Sequence, residues 1–232
     1  SRVMVNRLWQ HCFGAGLVQS ANDFGLLGEG VSNQDLLDWL AVEFIESGWD
    51  IKHMLRLMIT SSTYQMSVQA QAEALTIDPQ NRLQWRHNPR RLTAEEIWDT
   101  LLVVQGKLNY DIGGESVRPK MPEAVLAGSS RPDIAWPETI GEAANRRAVY
   151  IEVKRSIQLP LLAAYDAPQR DATCPTRFAT TVPTQALTML NSERVNSAAK
   201  EFAADLADEY VDLDTQITAA FKRALGRVPS IE

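Results

Sequence analysis

The sequence is poor in the residues that most often reveal a function, with two cysteines and three histidines among 232 residues. Cys12 and Cys174 form no CxxC, CxxCH or zinc-type spacing, which argues against a haem attachment motif or a cysteine zinc site within the chain. They could form one disulfide or remain thiols, and we favour two buried thiols because free cysteine is among the most buried residue types. His11, His53 and His87 show no HxH or HxxxH spacing, so we expect no metal site.

Basic residues are fewer than acidic ones: the chain has 23 Lys and Arg and 29 Asp and Glu, which gives a net charge of −6. Binding to nucleic acid or to an anionic membrane surface requires clustered Lys and Arg, so we expect neither partner. Apolar runs are short, and none approaches the roughly 20 residues that a membrane-spanning helix needs. The sequence therefore predicts no nucleic-acid partner and no membrane span.

What the sequence does contain is helical periodicity with clear start signals. Thr93-x-x-Glu96 has the pattern of a capping box ahead of an apolar periodic stretch. Ser32-x-x-Asp35 predicts a second box, for a helix that Gly48 ends. Asp50 is placed to cap the helix that follows, so these two helices are predicted to form a hairpin.

The C-terminal part also predicts helices. Pro183 suits a first helical turn, and a second periodic stretch runs from Ser192 to about Glu209. Asp214 can cap a last helix that Gly226 ends.

The middle of the chain has a different pattern. Residues 66–91 are polar and irregular, and residues 107–146 hold many of the Gly and Pro residues, which predicts long loops. Arg147 to Lys154 alternates apolar and polar side chains as a strand does. A lone strand needs a partner, and the segment 116–118 is a candidate, so we expect a small ribbon rather than a large sheet.

These patterns predict a mainly α fold, a multi-helix single domain with one small β ribbon and long Pro/Gly-rich loops. The domain is predicted to cover 1–232, with a helical part at 1–106, a loop and strand region at 107–156 and a C-terminal helical part at 157–232. The chain begins without a start Met and already in a helix-like pattern. We interpret it as a fragment of a longer protein.

The candidate site is a polar loop that follows an apolar run near Pro160. Its charged residues and those beside the predicted strand are Arg147, Arg155, Asp166, Arg170 and Arg177. A carboxylate among guanidiniums keeps a lowered pKa and is a poor general acid. The arginines could bind a sulfate, a carboxylate or a uronic acid, or they could form an ion-pair network that fixes the loop. The sequence favours the network slightly and leaves both interpretations open.

Two other segments allow a functional and a structural interpretation. A basic cluster around Trp85 could form an anion patch, but we favour a solvated surface paired with Glu95 and Glu96. The cluster consists of Arg82, Arg86, Arg90 and Arg91. The segment Asn22–Gly25 could contact a ligand, but we favour an Asx-type turn that closes a loop.

Several motifs along the chain together resemble a known family. They are Val5-Asn6-Arg7-Leu8-Trp9-Gln10-His11, Phe13-Gly14-x-Gly16-Leu17-Val18, Asn22-Asp23-Phe24-Gly25, Leu36-Leu37-Asp38-Trp39-Leu40-Ala41, Glu43-Phe44-x-x-Ser47-Gly48-Trp49, Ser61-x-x-Tyr64, Asp78-Pro79-x-Asn81-Arg82-Leu83, Arg91-Leu92-x-Ala94-Glu95, Arg147, Tyr150, Lys154-Arg155, Asp166-Ala167-Pro168, Cys174-Pro175-x-Arg177, Thr184-Gln185-Ala186-Leu187 and Leu225-Gly226-Arg227-x-Pro229. The set resembles the planctomycete-specific domain at the C-terminal end of large cytochrome c-associated proteins, a family of unknown function. The chain departs from the family pattern at His11-Cys12, where a second His often stands, which weakens any idea of a metal-binding His pair.

The resemblance implies a context rather than a reaction. Such proteins carry an export signal, a cytochrome c-like region and sometimes a lectin-like module, so the resemblance implies a periplasmic or otherwise extracytoplasmic location and a role in polysaccharide utilisation. It implies other domains of the same chain as partners, including the cytochrome c-like domain, and no cofactor in this fragment. It supplies no catalytic residue.

Two functional hypotheses follow, and whether the chain is an enzyme stays open. The first is a non-catalytic helical interaction or ligand-binding module that presents the Asp166–Arg177 loop to an acidic or sulfated glycan or to other domains of the same chain. The second is a hydrolase acting on an acidic polysaccharide, with Asp166 as acid/base or nucleophile and with Arg147, Arg155 and Arg177 neutralising the substrate. A glycosidase usually needs two carboxyl groups about 5 to 10 Å apart, and Asp171 is a weak second, so we rank the module first.

Overall fold

The structure, a computed structural model, describes residues 1–128, 131–168, 171–177 and 179–230, without the side chains at positions 132 and 133. The chain divides into two compact units, Ser1–Arg90 and Arg91–Glu232. The described residues are mainly helical, which confirms the predicted fold class. This division does not test the single domain predicted over 1–232, because two compact units can still unfold together as one domain. The single domain therefore stays a prediction.

The first unit is built from three packed helices, α1 (Arg2–Phe13), α2 (Gln34–Glu46) and α3 (Ile51–Ile59), followed by the short α4 (Ala72–Ile77). The apolar faces of the three packed helices form its core, which includes Val5, Trp9, Leu37, Leu40, Phe44, Met54 and Met58.

The start of α2 differs from the predicted Ser32–Asp35 box, which is wrong. The side chain of Asn33 caps the helix instead, because its Oδ1 accepts the Leu36 N–H at 3.0 Å. The cap of α3 is confirmed, since Asp50 Oδ1 accepts the N–H of Lys52. Asn and Ser are about equally good caps, so local preference alone could not decide between Ser32 and Asn33.

A buried asparagine holds the long connection between α1 and α2. Asn6 is fully buried, its Nδ2 donates to Val18 O at 2.9 Å and its Oδ1 accepts the Val18 N–H at 2.9 Å. A Cβ on Gly16 would lie 2.6 Å from Val18 O, so only glycine fits this close approach. The connection is therefore held to α1 through both backbone hydrogen-bonding groups of Val18.

The second unit is organised around α5 (Ala94–Val104), which the Thr93–Glu96 capping box begins, as predicted. The chain then forms α6 (Glu123–Leu126), α7 (Pro132–Ala135), 3-10 turns at Gly141–Asn145 and Ala148–Tyr150, α8 (Pro160–Ala164), α9 (Pro183–Asn191), α10 (Glu193–Glu209) and α11 (Leu213–Leu225). Helices α8 and α10 and the turn at Ala148–Tyr150 all pack on α5. Trp98 of α5 belongs to the core of this unit and is 1% exposed.

The last helix begins earlier than the predicted Asp214 cap, which is wrong. Asp212 caps it, since its Oδ2 accepts the Thr215 N–H at 3.0 Å. The predicted end at Gly226 is confirmed by the left-handed backbone there, with φ of 66°.

The predicted ribbon does not form among the described residues. The segment 147–154 begins with a 3-10 turn at Ala148–Tyr150, and the Ala148 N–H donates to Asp99 of α5 instead of to a strand. Two isolated parallel bridges remain, Val117 with Ile151 and Asn109 with Arg146. The predicted partner segment was therefore placed correctly, but the pairing is too short to make a strand.

The two cysteines are free thiols in the structure. Cys12 is half-buried on α1, whereas Cys174 is exposed. The interpretation of two buried thiols is therefore wrong for Cys174, which lies on a surface loop.

Candidate functional site

Asp166 forms the base of the polar loop that follows α8. Its backbone is left-handed, with φ of 59°, which turns the chain away from the helix. One carboxylate oxygen, Oδ2, accepts the Thr180 N–H at 2.9 Å, the Thr180 hydroxyl at 2.8 Å and Arg91 Nη2 at 2.7 Å. Asp166 therefore joins the two ends of the loop to each other and to the residue just before α5.

A second set of hydrogen bonds holds the residues around this carboxylate in place. Gln185 is 4% exposed, and its Nε2 donates to the Thr180 hydroxyl and to Ala164 O, both at 3.1 Å. The Tyr165 hydroxyl donates to Gln185 O at 3.0 Å. The Arg91 guanidinium lies 5.1 Å from the centre of the Tyr165 ring. Helices α8 and α9 thus hold the acceptor and its donors in place.

The environment of Asp166 keeps it ionised. The Thr180 backbone N–H is the largest cause that lowers the pKa of its carboxyl, with the Thr180 hydroxyl and Arg91 adding to it and desolvation opposing. An ionised carboxylate with three donors on one oxygen is a poor general acid and a hindered nucleophile.

We expect Asp166→Asn to lower the free energy of unfolding of the second unit by about 1.5 kcal/mol at neutral pH, since one charge-assisted hydrogen bond contributes about 1.5–3 kcal/mol. Asparagine tolerates the left-handed backbone, so the change tests the charge and not the turn. Because the folded pKa is lowered, this stabilisation is present above the ordinary Asp pKa of about 3.9 and is lost as the pH falls through the folded value. Urea denaturation of both proteins should show their difference shrinking below pH of about 4; a difference that does not change with pH would contradict the charge explanation.

The other predicted site residues lie in separate ion pairs. Arg177 Nη1 lies 2.6 Å from Glu95 Oε2 on α5, and Arg147 Nε lies 3.3 Å from Asp99 Oδ2. Arg155 Nε lies 2.5 Å from Asp171 Oδ1, with both side chains largely exposed. Arg170 lies outside the described residues.

None of the described candidate arginines hydrogen-bonds to Asp166, whose partner is Arg91. Sequence reasoning placed Arg91 in the cluster around Trp85 and missed this pair, because 75 residues separate the two partners. The only local signal was the position of Arg91 just before a strong helix start. The described candidates thus form ion pairs spread along the surface, and ligand binding by them stays a prediction.

A cavity of about 320 Å³ lies beside this loop. Its walls are apolar, and its polar lining comes from Glu95, Glu152, Gln158 and Arg177. Glu152 forms an ion pair with Arg118. The structure therefore places the predicted site residue Arg177 at a concave surface, together with Glu95 and with Glu152, which the sequence did not single out.

A larger groove of about 960 Å³ lies among α5, α8, α9 and α10. Trp98, Leu102, Leu161, Leu187 and Arg194 are among its lining residues. Two ion pairs stand at its rim, Lys107 with Glu201 at 3.0 Å and Lys120 with Glu193 at 2.9 Å. No pattern in the sequence predicts this groove, because its walls come from segments far apart in the chain.

Within the described ranges, no cluster of three or more His, Cys, Asp or Glu side chains could hold a metal ion. No helix in that part of the chain is long and apolar enough to cross a membrane.

Fold and site together define a mainly helical domain whose polar loop is held by ion pairs beside a cavity. The chain belongs to the family described as PSD1, Protein of unknown function (DUF1553), which matches residues 1–232. This match confirms the resemblance at the level of the domain family. No curated protein and no solved structure matches the chain.

Proposed function

We propose that this chain is a non-catalytic ligand-binding module whose site is the cavity beside Arg177. The observation that carries the proposal is that Arg177 and Glu95 form a half-exposed ion pair on the lining of a concave, mostly apolar surface. Such a pair contributes little to stability, so a ligand anion can replace Glu95 as the partner of the guanidinium.

The ligand class that suits this cavity is an acidic or sulfated glycan. A uronate carboxylate or a sulfate ester presents paired oxygens to a guanidinium, and a sugar ring has apolar faces for walls such as Ile151 and Leu162. A volume of about 320 Å³ lies at the lower end of ligand pockets, which favours a short segment of one chain.

The state of Asp166 supports a binding role over a catalytic one. Its carboxylate is engaged by Thr180 and Arg91, and it is not among the residues that line the cavity. A carboxylate engaged in this way holds the loop and does not face the cavity in which a substrate would bind.

A hydrolase acting on an acidic polysaccharide is the second candidate, and one observation favours it. Glu95 and Glu152 line the same cavity, and a pair of carboxyl groups is what glycoside hydrolysis requires. Incubation with a uronate oligosaccharide distinguishes the two candidates, since release of shorter products that Glu152→Gln abolishes would establish the hydrolase.

Arg177→Ala should weaken binding of a uronate or sulfated oligosaccharide at least tenfold, because a charge-assisted hydrogen bond contributes about 1.5–3 kcal/mol. The fold should persist, since exposed ion pairs stabilise by about 0–1 kcal/mol. Isothermal titration calorimetry measures the affinity. Arg155→Ala is the matched control, because Arg155 also pairs with a loop carboxylate but does not line the cavity. Equal losses in both variants, or an Arg177→Ala protein that unfolds while the parent binds no anion, would contradict the site.

The wider setting is also a proposal, and it rests on the family resemblance alone. We propose that the module works in an exported, multidomain, cytochrome c-associated protein of polysaccharide utilisation, with a cytochrome c-like domain among its partners and no cofactor of its own. Isolation of the native protein from a periplasmic fraction, with haem covalently bound to the same polypeptide, would support this setting. Recovery from the cytoplasm without haem would contradict it.

A further inference from the structure

Arg194, in the first turn of α10, is a cation without a counter-ion at contact distance. Its guanidinium carbon lies 3.7 Å from the centre of the Trp98 ring, and its Nε is buried without a hydrogen-bond partner. Among the described residues it takes part in no ion pair and no side-chain hydrogen bond. Other arginines of the same unit do pair with carboxylates, namely Arg91, Arg118, Arg147, Arg155, Arg177 and Arg223.

The position is electrostatically costly for an arginine. Burial lowers the pKa of Arg194, and only the more distant charge of Glu201 opposes that effect. The positive end of the α10 dipole adds to the cost of a cation in its first turn. The Trp98 face recovers part of the lost hydration by a cation–π contact, but a partly buried charge is stabilised fully only by an anion that hydrogen-bonds to it.

The surroundings of Arg194 define what kind of anion fits. Leu102, Leu161 and Leu187 give the groove apolar walls, so the anion needs an apolar body. Glu193 and Glu201 stand at the rim, and each already neutralises a lysine. These neutral pairs leave one positive charge on the described lining, that of Arg194, which matches a monoanion and not a dianion or a polyanion.

We propose that this groove binds a ligand that carries a single carboxylate next to an apolar group, with the carboxylate on the Arg194 guanidinium and the apolar group against Leu102, Leu161 and Leu187. The planar guanidinium fork matches the two oxygens of a carboxylate. The site is separate from the cavity beside Arg177, and neither proposal depends on the other. Two sources share this chemistry, a free apolar carboxylic acid and the C-terminal carboxylate of a peptide that ends in an apolar residue.

The test is an NMR titration of the whole chain with 4-phenylbutyrate, 4-phenylbutanol and inorganic phosphate. The proposal expects the acid to bind, the Arg194 side-chain signal to shift, and the alcohol and phosphate to bind at least about tenfold more weakly, as expected for loss of a charged hydrogen bond. A short peptide ending in leucine, with a free or an amidated C-terminus, separates the two sources. Binding of the free acid alone assigns a small molecule, and stronger binding of the free peptide than of its amide assigns a chain terminus.

Arg194→Gln should reduce binding of the acid at least about tenfold. Arg227→Gln is the matched control, because Arg227 also stacks on an aromatic ring, that of Phe221, but does not line the groove. Leu187→Glu covers the case in which Arg194→Gln fails to fold. Leu187 is 54% exposed on the groove wall, so a carboxylate there should block the ligand and leave the fold intact.

Three results would each overturn the proposal. They are no binding of either carboxylate probe, equal binding of the acid and the alcohol, and undiminished binding by folded Arg194→Gln or Leu187→Glu. Arg177→Ala should leave this titration unchanged, which keeps a failure here distinct from a failure of the glycan site.

Discussion

Replacing Asn6 by leucine should lower the free energy of unfolding of the first unit by about 4 kcal/mol, because two buried backbone groups lose their partner at about 1–3 kcal/mol each. Asn6 and Val18 are 0% and 1% exposed, so water cannot take the place of the amide without opening the core. Leucine has the same branched arrangement of heavy atoms as asparagine but bulkier methyl groups, so overpacking of this buried site adds to the loss of the two hydrogen bonds.

Hydrogen exchange of the α1 and α2 amides measures this change locally, whether or not the two units unfold together. Gln19→Leu is the control, since it makes a similar amide-to-leucine change at an exposed position of the same connection. We expect it to change stability by less than about 0.5 kcal/mol. Similar effects of the two substitutions would show that Asn6 does not hold the connection.

Trp98→Ala should destabilise the second unit by about 4 kcal/mol, in the range for a large aromatic side chain removed from a core. Trp98 is 1% exposed and packs where α5, α8 and α10 converge. Removing it also takes away the aromatic face under Arg194. The loss of exchange protection should therefore spread from α5 into the first turns of α10.

Trp39→Ala provides the comparison, because Trp39 is 52% exposed on α2. We expect it to cost less than about 1 kcal/mol, as surface substitutions usually do. Trp98→Phe should fall between the two, since a smaller ring keeps part of the packing and of the cation–π contact. A Trp98→Ala protein as stable as Trp39→Ala would mean that the core of the second unit does not depend on this side chain.

The parts of the fold that were predicted correctly are those in which the residues that begin or end a helix lie close to it in the chain. The Thr93–Glu96 capping box, the Asp50 cap and the Gly226 stop are each specified within about one helical turn. The caps at Asn33 and Asp212 were missed because two capping residues stand within three positions of each other, and local preference cannot rank them. The predicted ribbon does not form because Asp99, about 50 residues away, accepts a hydrogen bond from the Ala148 N–H, and the alternating segment begins with a 3-10 turn.

Prediction of the candidate site was limited even more by contacts between residues far apart in the chain. The charged residues of the site were named from composition, but their partners were not, since Asp166 with Arg91 and Arg177 with Glu95 are each long-range pairs. The Arg194–Trp98 stack spans almost 100 positions and leaves no pattern in the sequence. Periodicity predicts which elements exist, whereas packing alone decides which side chains meet.

The unequal exposure of the two thiols makes the chain suitable for labelling at one site. Burial raises the pKa of the Cys12 thiol, which lowers the thiolate fraction that reacts with a maleimide. Cys174 is exposed and lies between Asp171 and Arg177, on the loop that borders the cavity. A fluorophore attached there without mutagenesis would sit next to the Arg177–Glu95 pair, and its emission would report the exchange of that pair for a ligand anion in real time.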